Sequence, residues 1–143
     1  MADPLLVQEW LTKAEEDFLF AEANLEEGRN FFPQICFHYQ QAAEKYLKAF
    51  IVAKEIEFKK IHDLGLLLKM VVRIDPSVEE LRDDCEFLGA FYIEARYPVH
   101  WPVNFTRDEA LKASEAAVRI RKKIKETLSM SIHKDITELS PDS

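Results

Sequence analysis

A chain of 143 residues, 48% hydrophobic and 31% charged, is long enough to bury one sizeable core and too apolar to be disordered. With only three glycines and a net charge of −7, it reads as helical and is excluded from coating nucleic acid through its whole surface, so any RNA contact must be focused. Cys36 and Cys85 stand far apart among apolar neighbours and are expected as buried, reduced thiols. No apolar run approaches the roughly 18 residues that span a bilayer, so a cytoplasmic protein without membrane contact is expected.

Asp3-Pro4 has the form of an N-cap followed by proline at the first helical position. From there Val7, Trp10, Leu11, Ala14, Phe18, Ala21 and Leu25 recur at three- and four-residue steps, predicting a first helix that Gly28 ends. Glu9, Glu15, Glu16, Glu22 and Glu26 are expected on its solvated face. A second helix is expected over residues 34–54, burying Cys36, Tyr39, Ala43, Tyr46, Leu47 and Phe50. His38, Gln41, Lys45 and Lys48 share another stripe, read as facing solvent or a partner, and Glu44 with Lys48 reads as an (i, i+4) pair worth a few tenths of a kcal/mol.

A polar connector then leads to His62-Asp63, which opens a third helix carrying Leu64, Leu66, Leu67, Leu68, Val71 and Val72. His62 is expected to cap this helix or to hydrogen-bond within the loop, with phosphate binding or catalysis as the other reading. Asp75-Pro76 repeats the cap-plus-proline signal for a fourth helix reaching about residue 95, with Val78, Leu81, Cys85, Leu88 and Tyr92 inward. An ordered loop containing Pro98, His100, Trp101 and Pro102 follows. Thr106-Arg107-Asp108-Glu109 has the capping-box form, and Ala110, Ala113, Ala117, Ile120, Ile124 and Leu128 continue as a fifth helix. Residues 131–143 read as a frayed tail, leaving 1–130 as the domain. The expectation is an all-α, up-and-down bundle of about five helices.

Three segments carry more than periodicity: Gln40-Gln41-Ala42-Ala43-Glu44-Lys45-Tyr46-Leu47-Lys48-Ala49, Lys60-Ile61-His62-Asp63-Leu64 and Arg96-Tyr97-Pro98. Together they resemble the HEPN (higher eukaryote and prokaryote nucleotide-binding) domain family, over about residues 8–128. The resemblance implies a helical bundle that forms a homodimer and binds nucleotides or RNA. It also implies a small nucleotidyltransferase partner in a toxin–antitoxin-like pair, the helical member being the toxin when an Arg/His motif is intact. Many ribonucleases of that superfamily carry an arginine, then four to six residues, then a histidine. Here only Tyr97, Pro98 and Val99 separate Arg96 from His100, one residue short of that pattern.

The chemistry gives that pairing a reason. Metal-independent cleavage of RNA by its own 2′-hydroxyl needs proton transfer and stabilisation of extra negative charge on phosphorus, which histidine and arginine supply. Arg96 is therefore the candidate phosphate-stabilising group and His100 the candidate proton-transfer group of an endoribonuclease. Tyr97, His62, Lys45 and Lys48 are the candidate nucleotide- or RNA-binding residues, with Tyr97 and Trp101 either packing the loop or stacking bases. Arg119, Arg121, Lys122, Lys123 and Lys125 complement a helix C-terminus or contact phosphate. No metal and no other cofactor is expected, because no His, Cys, Asp or Glu spacing matches a zinc or calcium site. The alternative function is a non-catalytic helical module that binds a nucleotidyltransferase or a nucleotide, favoured by the short Arg-to-His spacing. A third reading is a homodimer with an unrelated ligand, held through one exposed patch of Phe31, Phe32, Phe91, Tyr92 and Trp101.

Overall fold

The Asp3 carboxylate accepts a hydrogen bond from the Leu5 N–H at 2.9 Å, and Pro4 sits in the first turn where a missing N–H costs nothing, so α1 (Pro4–Glu26) starts as its sequence dictates. It ends in a left-handed residue, Gly28 at φ +73°, with the Gly28 and Arg29 N–H groups donating to Leu25 and Asn24 C=O at 3.1 Å each. The computed structural model describes residues 2–57, 60–94 and 105–138, with Ile93, Glu94 and residues 130–138 as backbone.

Helix α2 (Phe32–Ala53) stops by the same device, but its left-handed residue is Glu55 at φ +58°. The Glu55 N–H donates to Val52 C=O at 3.0 Å and the Ile56 N–H to Ile51 C=O at 3.1 Å. A residue with a Cβ costs about 1–2 kcal/mol in that conformation, so composition carries no warning of this stop. Helix α3 (Leu64–Ile74) is capped by Asp63, which stands just outside it and accepts from the Leu66 N–H at 3.1 Å. Asp75 closes α3 and, through Oδ1, accepts from the Ser77 N–H at 3.0 Å and the Ser77 hydroxyl at 2.6 Å.

The expected single fourth helix is replaced by three pieces. Pro76–Leu81 is a 3-10 segment, α4 is Arg82–Gly89 and α5 is Phe91–Glu94. The inward residues Val78, Leu81, Cys85 and Leu88 keep their spacing, and the chain breaks at Gly89-Ala90, where glycine supports helix about 1 kcal/mol less well than alanine. Helix α6 (Arg107–Glu138) opens with the Thr106 hydroxyl accepting from the Glu109 N–H at 3.2 Å, and it runs on through part of the stretch read as a frayed tail. Among the described residues there is no strand, and the fold is the expected all-α bundle.

Helix α2 is the central element. It packs against α1, α3, α4, α5 and α6, and its residues Ile35, Tyr39, Ala43, Tyr46, Leu47, Phe50 and Ile51 are fully buried. Burial on nearly every side corrects the expected stripe of His38, Gln41, Lys45 and Lys48 in part: Lys48 is 4% exposed and the other three are half-buried, while Gln40 and Glu44 beside them are 0% and 3% exposed. The glutamate face of α1 is corrected in part, since Glu9, Glu16 and Glu26 are exposed while Glu15 and Glu22 turn toward α2 and α6. Cys36 and Cys85 are free and buried, and burial pushes each thiol up to about 12, which keeps both protonated and unreactive.

The single aromatic patch does not form. Phe91 is 2% exposed and packs edge-on against Phe87 at 5.2 Å, whereas Phe31 is 56% exposed at the start of α2, beside Phe20 and Ile35. Trp101 lies outside the described residues. No described helix is long and apolar enough to cross a membrane.

Candidate functional site

The polar residues of α2 sort into two groups by the element they face. Gln40, Glu44 and Lys48 recur at four-residue steps and so rise along one line of the helix. Glu44 lies at the centre of that line. Its carboxylate is 3.1 Å from the Lys48 Nζ and 3.2 and 3.3 Å from the Nδ1 of His62, which reaches in from the connector between α2 and α3. The His62 imidazole in turn lies flat on the Tyr92 ring, with centroids 5.3 Å apart and planes at 11°. Lys48 also stands over the Trp10 ring of α1, 5.6 Å from its centroid. One buried carboxylate therefore ties α2 to the connector, and the imidazole ties the connector to α5.

His62 was expected to cap α3 or to bond within its loop. It does neither, because the neighbouring Asp63 takes the cap and frees the imidazole to turn onto α2. Glu44, read as half of a surface pair, is the residue that sequence reasoning missed. Its signal was available in the four-residue spacing of Gln40, Glu44 and Lys48 along one line of a helix that buries Tyr39, Ala43, Tyr46, Leu47 and Phe50 around it.

Lys45 faces the other way. It and His38 both engage Asp17 of α1, the His38 Nδ1 at 3.0 Å from Asp17 Oδ1, so Lys45 and Lys48 do not converge. Burial raises the Asp17 carboxyl, but the His38 and Lys45 contacts outweigh it and hold it below the ordinary value. The basic run of α6 is dispersed in the same manner. Arg119 forms a two-pronged pair with Asp84, Lys123 reaches Glu80 at 3.4 Å, and Arg121 and Lys125 share Glu15 at 2.7 and 2.8 Å. These cations bind neighbouring helices and do not form one patch.

Glu15 also accepts from the Tyr46 hydroxyl. Burial pushes its carboxyl up, yet the hydrogen bonds from Arg121, Lys125 and Tyr46 prevail and bring it from 4.5 down to about 2. A carboxyl depressed by folding contributes stability that is fully present above its unfolded value and is lost as pH falls from 4.5 through about 2. Urea midpoints across that window should drop more steeply for the natural chain than for Glu15→Gln. Parallel curves would mean that Glu15 does not carry the acid sensitivity.

Arg96, Tyr97 and His100 lie outside the described residues, in the segment that follows α5 directly. A family model described as HEPN domain matches residues 7–127. The chain belongs to the HEPN family. Two solved structures are similar to this HEPN domain. TT1696 from Thermus thermophilus is 28% identical, with a TM-score of 0.70 over 84% of this chain and 96% of that one. ST0689, an archaeal HEPN homologue, is 26% identical, with a TM-score of 0.67 over 85% of this chain and 96% of that one. No curated protein matches.

Proposed function

We propose that this HEPN domain binds RNA or nucleotides at the α5 end of the bundle and cleaves RNA without a metal, as the toxin-like member of a pair with a nucleotidyltransferase. The observation that carries the reading is the Glu44–His62–Tyr92 arrangement, which anchors α5 immediately ahead of Arg96 and His100 in the chain. Arg96 is the group proposed to hold negative charge developing on phosphorus, and His100 the group proposed to move a proton. Tyr97 is proposed to stack on a base, and a homodimer would bring two such sets to one cleft.

The test is incubation of the purified protein with labelled single-stranded and structured RNA in the presence of a chelator, followed on denaturing gels. Arg96→Ala and His100→Ala should each lower cleavage by about 10²-fold or more. A second reading, a non-catalytic module that binds a nucleotidyltransferase or a nucleotide, is favoured by one observation. Lys45, Lys48, Arg119, Arg121, Lys123 and Lys125 are all engaged by carboxylates of this chain, which leaves them poorly placed to track a polyanion. Absence of cleavage at high protein concentration would decide for that module.

A further inference from the structure

The His62 imidazole is held more tightly than a loop histidine needs to be. An ionised carboxylate can only accept, so Glu44 selects the tautomer with hydrogen on Nδ1 and the lone pair on Nε2. The Tyr92 stack fixes the plane of the ring, and Lys48 holds Glu44 in place from the far side at 3.1 Å. The side chain of Glu44 is 4% exposed and that of His62 is 46% exposed, so the carboxylate end of the dyad is buried and the imidazole end is about half open. Among the described residues nothing hydrogen-bonds to Nε2. Among the described residues, His38 is the other histidine bonded to a carboxylate, and it differs in its setting. Its ring is packed between Phe20 at 4.5 Å and Phe37 at 5.7 Å, and its Asp17 partner is shared with Lys45.

We propose that His62 is a catalytic base of this domain, taking the 2′-hydroxyl proton of an RNA substrate, with Glu44 as its positioning residue. The inference rests on the ribonuclease reading above and divides its proton transfers, giving acceptance of the 2′-hydroxyl proton to His62 and leaving to His100 the relay of a water proton to the 5′-oxygen. Nε2 takes the hydroxyl proton, the 2′-oxygen pair forms a bond to phosphorus, and the bond from phosphorus to the 5′-oxygen breaks. The departing 5′-oxygen takes a proton from water, and the imidazolium returns its own to the hydroxide left behind. The products are a 2′,3′-cyclic phosphate and a 5′-hydroxyl, and no further reactant enters the balance.

The experiment uses the full chain and a 5′-labelled single-stranded oligoribonucleotide with chelator, comparing the natural protein, His62→Ala and His38→Ala. His62→Ala should cut the rate by about 10²-fold or more, added imidazole should restore part of it, and His38→Ala should match the natural protein. Glu44→Gln, whose amide oxygen still accepts from Nδ1 but carries no charge, should lower kcat and leave KM unchanged. Where circular dichroism shows His62→Ala to be unfolded, His62→Asn takes its place. If the natural protein cleaves and the His62 variant cleaves equally well, or loses activity that imidazole does not restore, the assignment to His62 is overturned while the ribonuclease reading stands. If the natural protein does not cleave, the ribonuclease reading fails and the base assignment goes with it.

Discussion

Glu44→Ala should destabilise the bundle by about 3–5 kcal/mol, the cost of breaking a buried ion pair from one side. The Lys48 side chain is 5% exposed and its Nζ lies 3.1 Å from the Glu44 carboxylate, so the substitution takes a full counter-charge away from an ammonium that water barely reaches. The same change removes the acceptor of His62 and so loosens the connector from α2. Replacing both members of the pair with apolar residues of similar volume, Glu44→Leu with Lys48→Met, should recover most of the loss, because no charge then remains to be desolvated. Urea unfolding of the two single variants and the double variant measures the coupling directly. Additive losses would mean that the two side chains do not act as a pair. Against a total stability of about 5–15 kcal/mol for an ordinary domain, the single variant is expected to sit near the limit of folding.

Phe50→Ala should cost about 3–5 kcal/mol, the range for emptying a buried aromatic site. Phe50 is fully buried on α2, the helix against which every other helix packs, so the surrounding side chains have little freedom to close the gap. Leu5→Ala, at a position 79% exposed on α1, should stay within about 0.5 kcal/mol of the natural protein. Thermal or chemical melts of the two variants compare a large apolar residue that is inside with one that is outside. A loss at Phe50 no larger than that at Leu5 would contradict the burial of the α2 core.

Helix starts were legible because the groups that make them are adjacent in the chain. Asp3-Pro4, Asp75-Pro76 and Thr106 through Glu109 act within three residues of one another, and each caps what it was expected to cap. The inward positions of the first, second and last helices were equally plain, since a three- and four-residue step is a property of the helix itself. Helix ends were less so. The stop at Glu55 breaks the preference for glycine, and the division of the fourth helix at Gly89-Ala90 leaves the apolar spacing before it intact. The candidate site followed the same division. His62 stood out in its motif, but its partner was sought in the neighbouring turn and lay eighteen residues back, on α2.

Periodicity alone settled that this chain is an all-helical bundle, and the motifs of its second helix and connector settled the family it resembles. Only the tertiary structure decided what its charges do. Glu15, Asp17, Glu44 and Asp84 each bind cations, and all but the Glu44–Lys48 pair span separate helices, turning apparent surface stripes and a basic run into internal ties. The reason is physical. The side of a helix on which a residue lies follows from its own position, whereas the burial of a charge depends on which distant element comes to cover it.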